Sequence, residues 1–168
     1  MKDNSVIERH IMSVLVDNEP GVLARVIGLF SGRGYNIESL TVSETDPERA
    51  LSRISIVTSG TPMVIEQIKA QLARLVPIHA VRDLTEHDVA IERELALVKI
   101  INHGEERIEA LRIADTFRAR TLDSTLDSFV FEVTGNSSKV DAFVNLMRSL
   151  GSVEVARTGV SAISRGNN

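Results

Sequence analysis

The 168-residue sequence predicts an α+β protein made of two tandem βαββαβ units. Three observations carry this expectation. Apolar spacing passes from strand-like to helix-like (i, i+3, i+4, i+7) and back, twice and in the same order. The two halves share that order with little residue identity. Between them lies TEHDVAIERE (85–94), which has no sustained period and is charged at both ends, so it reads as a linker. The boundary is placed near residue 88, with domains at 1–84 and 93–168 and the linker at 85–92.

In the first half, IMSVLV (Ile11 to Val16) carries Met12, Val14 and Val16 on one face and Ile11 and Leu15 on the other, the pattern of a strand covered on both sides. Leu23, Val26, Ile27 and Phe30 form a helical stripe, and SGRG (Ser31 to Gly34) stops it after about 12 residues. Tyr35 to Glu44 and Leu51 to Thr58 are β-rich runs joined by TDPERA, where Asp46-Pro47 signals a turn, and they predict a hairpin. A second helix carries Val64, Ile65, Ile68, Leu72 and Leu75. Pro77 ends it, and Ile78 to Leu84 closes the unit as a strand.

The second half repeats the order. Leu95 to Ile101 is a strand, and Glu105 to Arg118 a helix with Ile108, Leu111 and Phe117 on its stripe. Thr121 to Leu126 and Ser128 to Thr134 are strands. Asn136 caps a helix bearing Val140, Phe143, Val144, Met147 and Leu150, and Gly151 leads into Val153 to Arg157. With right-handed crossovers, each unit becomes a four-stranded antiparallel sheet with both helices on one face, the ferredoxin-like arrangement. The second sheet face then needs cover from the other domain, a second copy or a larger partner.

Composition narrows the function classes. At 43% apolar content and without cysteine, the chain can fold without disulfides. It has no Lys/Arg-rich start leading into an apolar signal core and no apolar run near the roughly 18 to 20 residues of a membrane span, so a cytoplasmic protein is expected. A net charge of −4, one tyrosine and no tryptophan argue against nucleic-acid binding. The histidines His10, His79, His87 and His103 lack the spacing of a compact metal site, and Glu86 to Asp88 (EHD) reads as a solvated run in the linker. No serine lies in a nucleophile frame, Gly32 to Gly34 (GRG) is too short for a phosphate loop, and Glu105 and Glu106 suit the first turn of a helix. Nothing argues for catalysis, and no metal ligand is assigned.

The loop DNEPG (Asp17 to Gly21), between the first strand and first helix, carries the chemistry. One reading is structural, with Asp17 or Asn18 accepting from free helix N–H groups and Pro20 starting the first turn. The other is a binding site. A helix N-terminus at a strand end offers unpaired donors and partial positive charge to a carboxylate, and glycine permits close approach. A small amino acid suits it, its ammonium held by the Asp17 carboxylate or strand-end carbonyls. The equivalent junction in the second half, INHGEE (Ile101 to Glu106), lacks this pattern.

The segment NEPGVLARVIGLFSGRGYNIESLTV (Asn18 to Val42) closely resembles the start of the regulatory small subunits of acetolactate synthase. The resemblance extends through ALSRISIVTSG (Ala50 to Gly60), ERELALVKI (Glu92 to Ile100), KVDAFV (Lys139 to Val144) and EVARTGVSAISRG near the end, covering nearly the whole chain. It implies an N-terminal ACT domain that binds a branched-chain amino acid, usually valine, and a C-terminal domain of related fold. It also implies a homodimer joined through the ACT domains and a catalytic large subunit that this chain activates and inhibits when valine is bound. Thiamine diphosphate, FAD and Mg²⁺ would reside in that large subunit, with no cofactor here. Asn18 and Gly21 match the family's ligand loop, and Asn36 matches an asparagine that approaches the ligand from the neighbouring protomer. Pro20 stands at a variable position. The valine site so implied comprises Asp17, Asn18, Glu19, Pro20, Gly21, Val22 and Leu23, with Asn36 and Ile37. A stand-alone amino-acid sensor and a small ferredoxin-fold enzyme remain the alternatives from the residues alone.

Overall fold

The computed structural model describes residues 6–86 and 90–166. They form two compact units: one takes residues up to Ile91 together with those from Val160 onward, and the other is Glu92–Gly159. His87, Asp88 and the expected boundary near residue 88 lie outside the described residues.

In the first unit the elements are β1 (Glu8–Asp17), α1 (Val22–Arg33), β2 (Ser39–Asp46), β3 (Leu51–Gly60), α2 (Pro62–Leu72) and β4 (Ile78–Asp83). They build an antiparallel sheet of order β2-β3-β1-β4, so β1 is central and β2 is an edge, as the βαββαβ order requires. The register sets Val14 opposite Ile54 and Val81, and Leu15 opposite Arg53 and Ala80. Met12, Val14 and Val16 therefore share one face with Ile54 and Ile56, packed under Val22, Val26 and Phe30 of α1 and Ile65, Ile68 and Leu72 of α2. Each such fully buried side chain contributes about 1.5 to 3 kcal/mol, so this face organises the unit.

Local chemistry sets the helix ends. Gly34 adopts φ 70°, and the N–H of Tyr35 donates to the Phe30 carbonyl at 3.0 Å, the left-handed stop expected of SGRG. Helix α2 starts at Pro62 behind Thr61, whose hydroxyl accepts from the Val64 N–H at 3.4 Å. It ends at Leu72, so Leu75 packs on the core from the turn beyond the helix.

The second unit has β5 (Ala90–Ile101), α3 (Glu105–Thr116), β6 (Arg120–Ser124), β7 (Ser128–Gly135), α4 (Ser137–Arg148) and β8 (Ser152–Arg157), with sheet order β6-β7-β5-β8. Its first strand begins inside the stretch read as a linker. The reason is visible at Glu94, whose carboxylate is 3% exposed and ion-paired with Arg157. A buried acid with a distant partner looks, in sequence, like a solvated one. Asn136 caps α4 as expected, its side chain accepting from the Lys139 N–H at 3.0 Å.

A ninth strand, β9 (Ser161–Ser164), has no counterpart in the sequence reading and belongs to the first unit. Val160 and Ala162 are buried with Ile11, Val57 and Leu84 on the sheet face opposite the helices. Two hydrogen bonds hold the segment to β2: the Thr41 hydroxyl donates to the Val160 carbonyl at 2.8 Å, and the Val160 N–H donates to Ser39 Oγ at 2.7 Å. Part of the second face, expected to need another domain or a partner, is thus covered by the chain's own C-terminal segment.

Candidate functional site

The site begins where β1 ends. The Asp17 N–H donates to the Pro77 carbonyl at 2.9 Å and the Asn18 N–H to the Ala50 carbonyl at 2.7 Å, so both neighbouring strand ends fix the loop's departure. Asn18, Glu19, Pro20 and Gly21 are then exposed. Gly21 has φ 87° and open space around its absent side chain, and it is the N-cap of α1.

Of the two readings of the loop, the capping one fails. No side chain caps α1. The Asn18 amide instead donates to Glu44 Oε1 on β2 at 2.9 Å, and the Asp17 carboxylate meets His79 Nε2 at 2.6 Å. Pro20 precedes the N-cap rather than starting the first turn. The physical cause is the left-handed Gly21, which turns the chain away from the geometry in which an Asx side chain reaches back over the helix end. The Val22 N–H reaches the Glu19 carbonyl at 3.4 Å and no side chain caps the N–H groups after it, so the positive dipole end of α1 has no side-chain acceptor.

The remaining residues of the expected site divide by orientation. Val22 is buried in the core, its backbone N–H turned to the Glu19 carbonyl, whereas Leu23 is 37% exposed at the same helix end. Ile37 is half-buried and packs on the unit's own core. Asn36 is exposed, and its carbonyl accepts from the buried Thr58 hydroxyl at 2.7 Å, which fixes the backbone and leaves the amide side chain outward. Asp17 to Leu23 are contiguous at one end of the sheet. Asn36 and Ile37 belong to the segment entering β2.

Sequence reasoning missed Glu44 and His79. Both come from other strands and act through pairing that no local spacing signals. His79 occupies the Asp17 carboxylate, and Glu44 reaches the loop through Asn18. Elsewhere several charged residues have structural partners. His10 Nδ1 lies 2.7 Å from Asp83 Oδ2, whose other oxygen accepts from the Thr85 N–H at 2.9 Å, locking the chain as it leaves β4. His103 pairs with Asp127 at 3.2 Å, and Glu105 and Glu106 occupy the first turn of α3. Glu86 of the EHD run pairs with Lys69 at 2.6 Å. Among the described residues, no group of three or more His, Cys, Asp or Glu is placed to hold a metal ion. None of their helices is long and apolar enough to cross a membrane.

Comparison with known proteins places this geometry. Residues 12–80 match the family described as the AHAS small subunit-like ACT domain, and residues 93–166 the family described as small subunit of acetolactate synthase. The chain is 49% identical over 159 residues to the probable acetolactate synthase small subunit of Archaeoglobus fulgidus, spanning 95% of this chain and 98% of that one. It is 48% identical over 160 residues to the acetolactate synthase isozyme 3 small subunit of Escherichia coli strain K12, covering 95% and 97% respectively. The crystal structure of the small subunit from Thermotoga maritima superposes with a TM-score of 0.84 at 38% identity, covering 96% of this chain and 99% of that one. The tandem βαββαβ fold, the loop motif and these full-length similarities agree: the chain belongs to the acetolactate synthase small-subunit family, and its first unit carries the ACT domain.

Proposed function

We propose that this chain is the regulatory subunit of an acetolactate synthase: it activates a catalytic large subunit and binds valine for feedback inhibition of branched-chain amino acid synthesis. The observation that carries the ligand site is the uncapped N-terminus of α1 behind a left-handed glycine. Free amides and a dipole end there suit a carboxylate, and Asp17, with the neighbouring strand-end carbonyls, suits an ammonium. Leu23 supplies apolar contact. The subunit has no catalytic residues or cofactor of its own; thiamine diphosphate, FAD and Mg²⁺ belong to the large subunit, and both work in the cytoplasm.

The loop is open to solvent in a single chain, which favours a site completed by a second copy. Strand β2 is a sheet edge whose outer backbone groups can pair with the same strand of another protomer about a twofold axis. That pairing makes a continuous eight-stranded sheet and brings Asn36 and Ile37 of one protomer towards the DNEPG loop of its partner.

The test mixes the chain with its cognate large subunit and assays acetolactate with and without valine. Activation that valine reverses is the expected result. Activation absent at saturating subunit would remove the regulatory reading, and valine binding to a chain that never engages the synthase would favour a stand-alone sensor. Sedimentation of the chain alone should give a dimer at micromolar concentration; a monomer that still binds valine would refute the shared site.

A further inference from the structure

A cavity lies on the face of the first unit's sheet opposite the helices. It has a volume of about 160 Å³ and is lined by Ser13, Leu15, Arg53, Ala80, Arg82, Leu84 and Ser164. The register explains why these residues meet. Arg53 of β3 stands opposite Leu15, and Arg82 of β4 stands opposite Ser13, with the central strand β1 between them. Two strand spacings and a two-residue offset, roughly 12 Å in all, therefore separate the two arginine backbones, and both side chains line the same hollow.

Neither guanidinium has an ion-pair or hydrogen-bond partner among the described residues. Several other arginines are engaged: Arg157 with Glu94 and Asp141, Arg107 with the Thr125 carbonyl, Arg112 with Glu109. The next acid along this face of β1 is Asp17, and its carboxylate is held by His79. Two cationic forks and the Ser13 hydroxyl thus surround a floor of Leu15, Ala80 and the buried Leu84, with no acidic side chain among the described residues that line it.

We infer that Arg53 and Arg82 form an oxyanion site for a single carboxylate or phosphate group, separate from the valine loop. Guanidinium forks match the planar, bidentate geometry of such groups, and partial burial strengthens the hydrogen bonds they donate. Size limits the ligand. The cavity is smaller than the roughly 300 to 1,000 Å³ of pockets that enclose a whole metabolite, so it accepts one anionic group. That group comes either from a small free anion or from an Asp or Glu side chain of the large subunit, since β4 is a sheet edge and leaves Arg82 exposed.

The experiment uses the full chain, with inorganic phosphate as the free probe at constant ionic strength and the cognate large subunit as the protein probe. Arg53→Gln, Arg82→Gln and the control Arg74→Gln are compared with the unaltered chain, with circular dichroism and melting temperature reporting the fold. Loss of one charge-assisted fork should weaken binding roughly tenfold or more. Saturable phosphate binding lost in both cavity variants supports the site with a free anion as ligand. Absent phosphate binding together with a tenfold weaker large-subunit affinity in the cavity variants, but not in Arg74→Gln, supports a partner carboxylate. Neither affinity changing, or all three variants changing alike, overturns the proposal. Arg82 is exposed, so Arg82→Gln decides the matter even where Arg53→Gln fails to fold.

Discussion

Gly21 shows how much one residue can separate two readings of the same loop. Its φ of 87° is unfavourable for residues with a side chain, although nothing lies within 4 Å of where a Cβ would be. Asn and Asp both tolerate the left-handed region, so Gly21→Asn and Gly21→Asp share the same backbone strain, about 1 kcal/mol, and differ in charge. Only the Asp variant places a carboxylate beside the carboxylate of a bound amino acid. At about 4 Å and an effective dielectric of about 20, that repulsion is on the order of 4 kcal/mol, roughly a thousandfold in affinity. Calorimetry should therefore find valine binding abolished in Gly21→Asp and largely retained in Gly21→Asn, with both variants folded. A second residue-scale expectation concerns Glu94, buried and paired with Arg157. The Glu94 hydrogen bond is the main reason the Arg157 guanidinium holds its proton more tightly than usual, ahead of the opposing effect of burial. Arg157→Ala leaves Glu94 uncompensated and should cost about 2 to 3 kcal/mol in urea denaturation, below the full value for a buried pair because Arg157 is partly exposed. Glu94→Gln in the same chain should recover part of the loss.

At the scale of elements, the helices differ in what starts them. Thr61 and Asn136 cap α2 and α4, and replacing either by Ala should lower stability by about 1 kcal/mol. Helix α1 has no such cap. Asn18→Ala should therefore leave stability within a few tenths of a kcal/mol, since its exposed contact with Glu44 is worth little, while valine affinity falls. A stability loss matching that of Thr61→Ala would return Asn18 to a capping role. Lys69 joins α2 to the segment after β4 through Glu86 at 2.6 Å and pairs within the helix with Glu66 at 2.8 Å. Burial alone would lower its pKa, and the two carboxylates outweigh that, raising it from the ordinary 10.5. A raised folded value means the contribution is fully present below pH 10.5 and is lost as pH rises through the folded pKa. Melting curves above pH 10.5 should accordingly fall more steeply for the unaltered chain than for Lys69→Met.

For the whole molecule, the return of the C-terminal segment means that the first unit is not one continuous stretch of chain. Val160 and Ala162 bury against Ile11, Val57 and Leu84 of the first unit, although they follow the second unit in sequence. Deleting residues 160–168 exposes that apolar cluster and should destabilise the first unit by about 2 to 4 kcal/mol. A fragment ending near Leu84 carries the same defect, so its valine affinity and melting temperature should both improve when the C-terminal segment is restored. Unchanged stability on deletion would mean that the segment contributes nothing to the unit it packs against.

The sequence by itself determined the order of elements, the central position of β1, the Asn136 cap of α4, the glycine stop of α1, and the loop at Asp17 to Gly21. Each of these rests on residues within a few positions of one another, where spacing and turn chemistry act directly. Only the tertiary structure decided that Asn18 binds Glu44 instead of capping α1, that His79 holds Asp17, that Glu94 is a buried partner of Arg157, and that β9 closes back over the first sheet. Those contacts join residues distant in the chain. A charge or a short apolar run carries no mark of its distant partner, because the pairing energy arises only when folding brings the two together and removes water from between them.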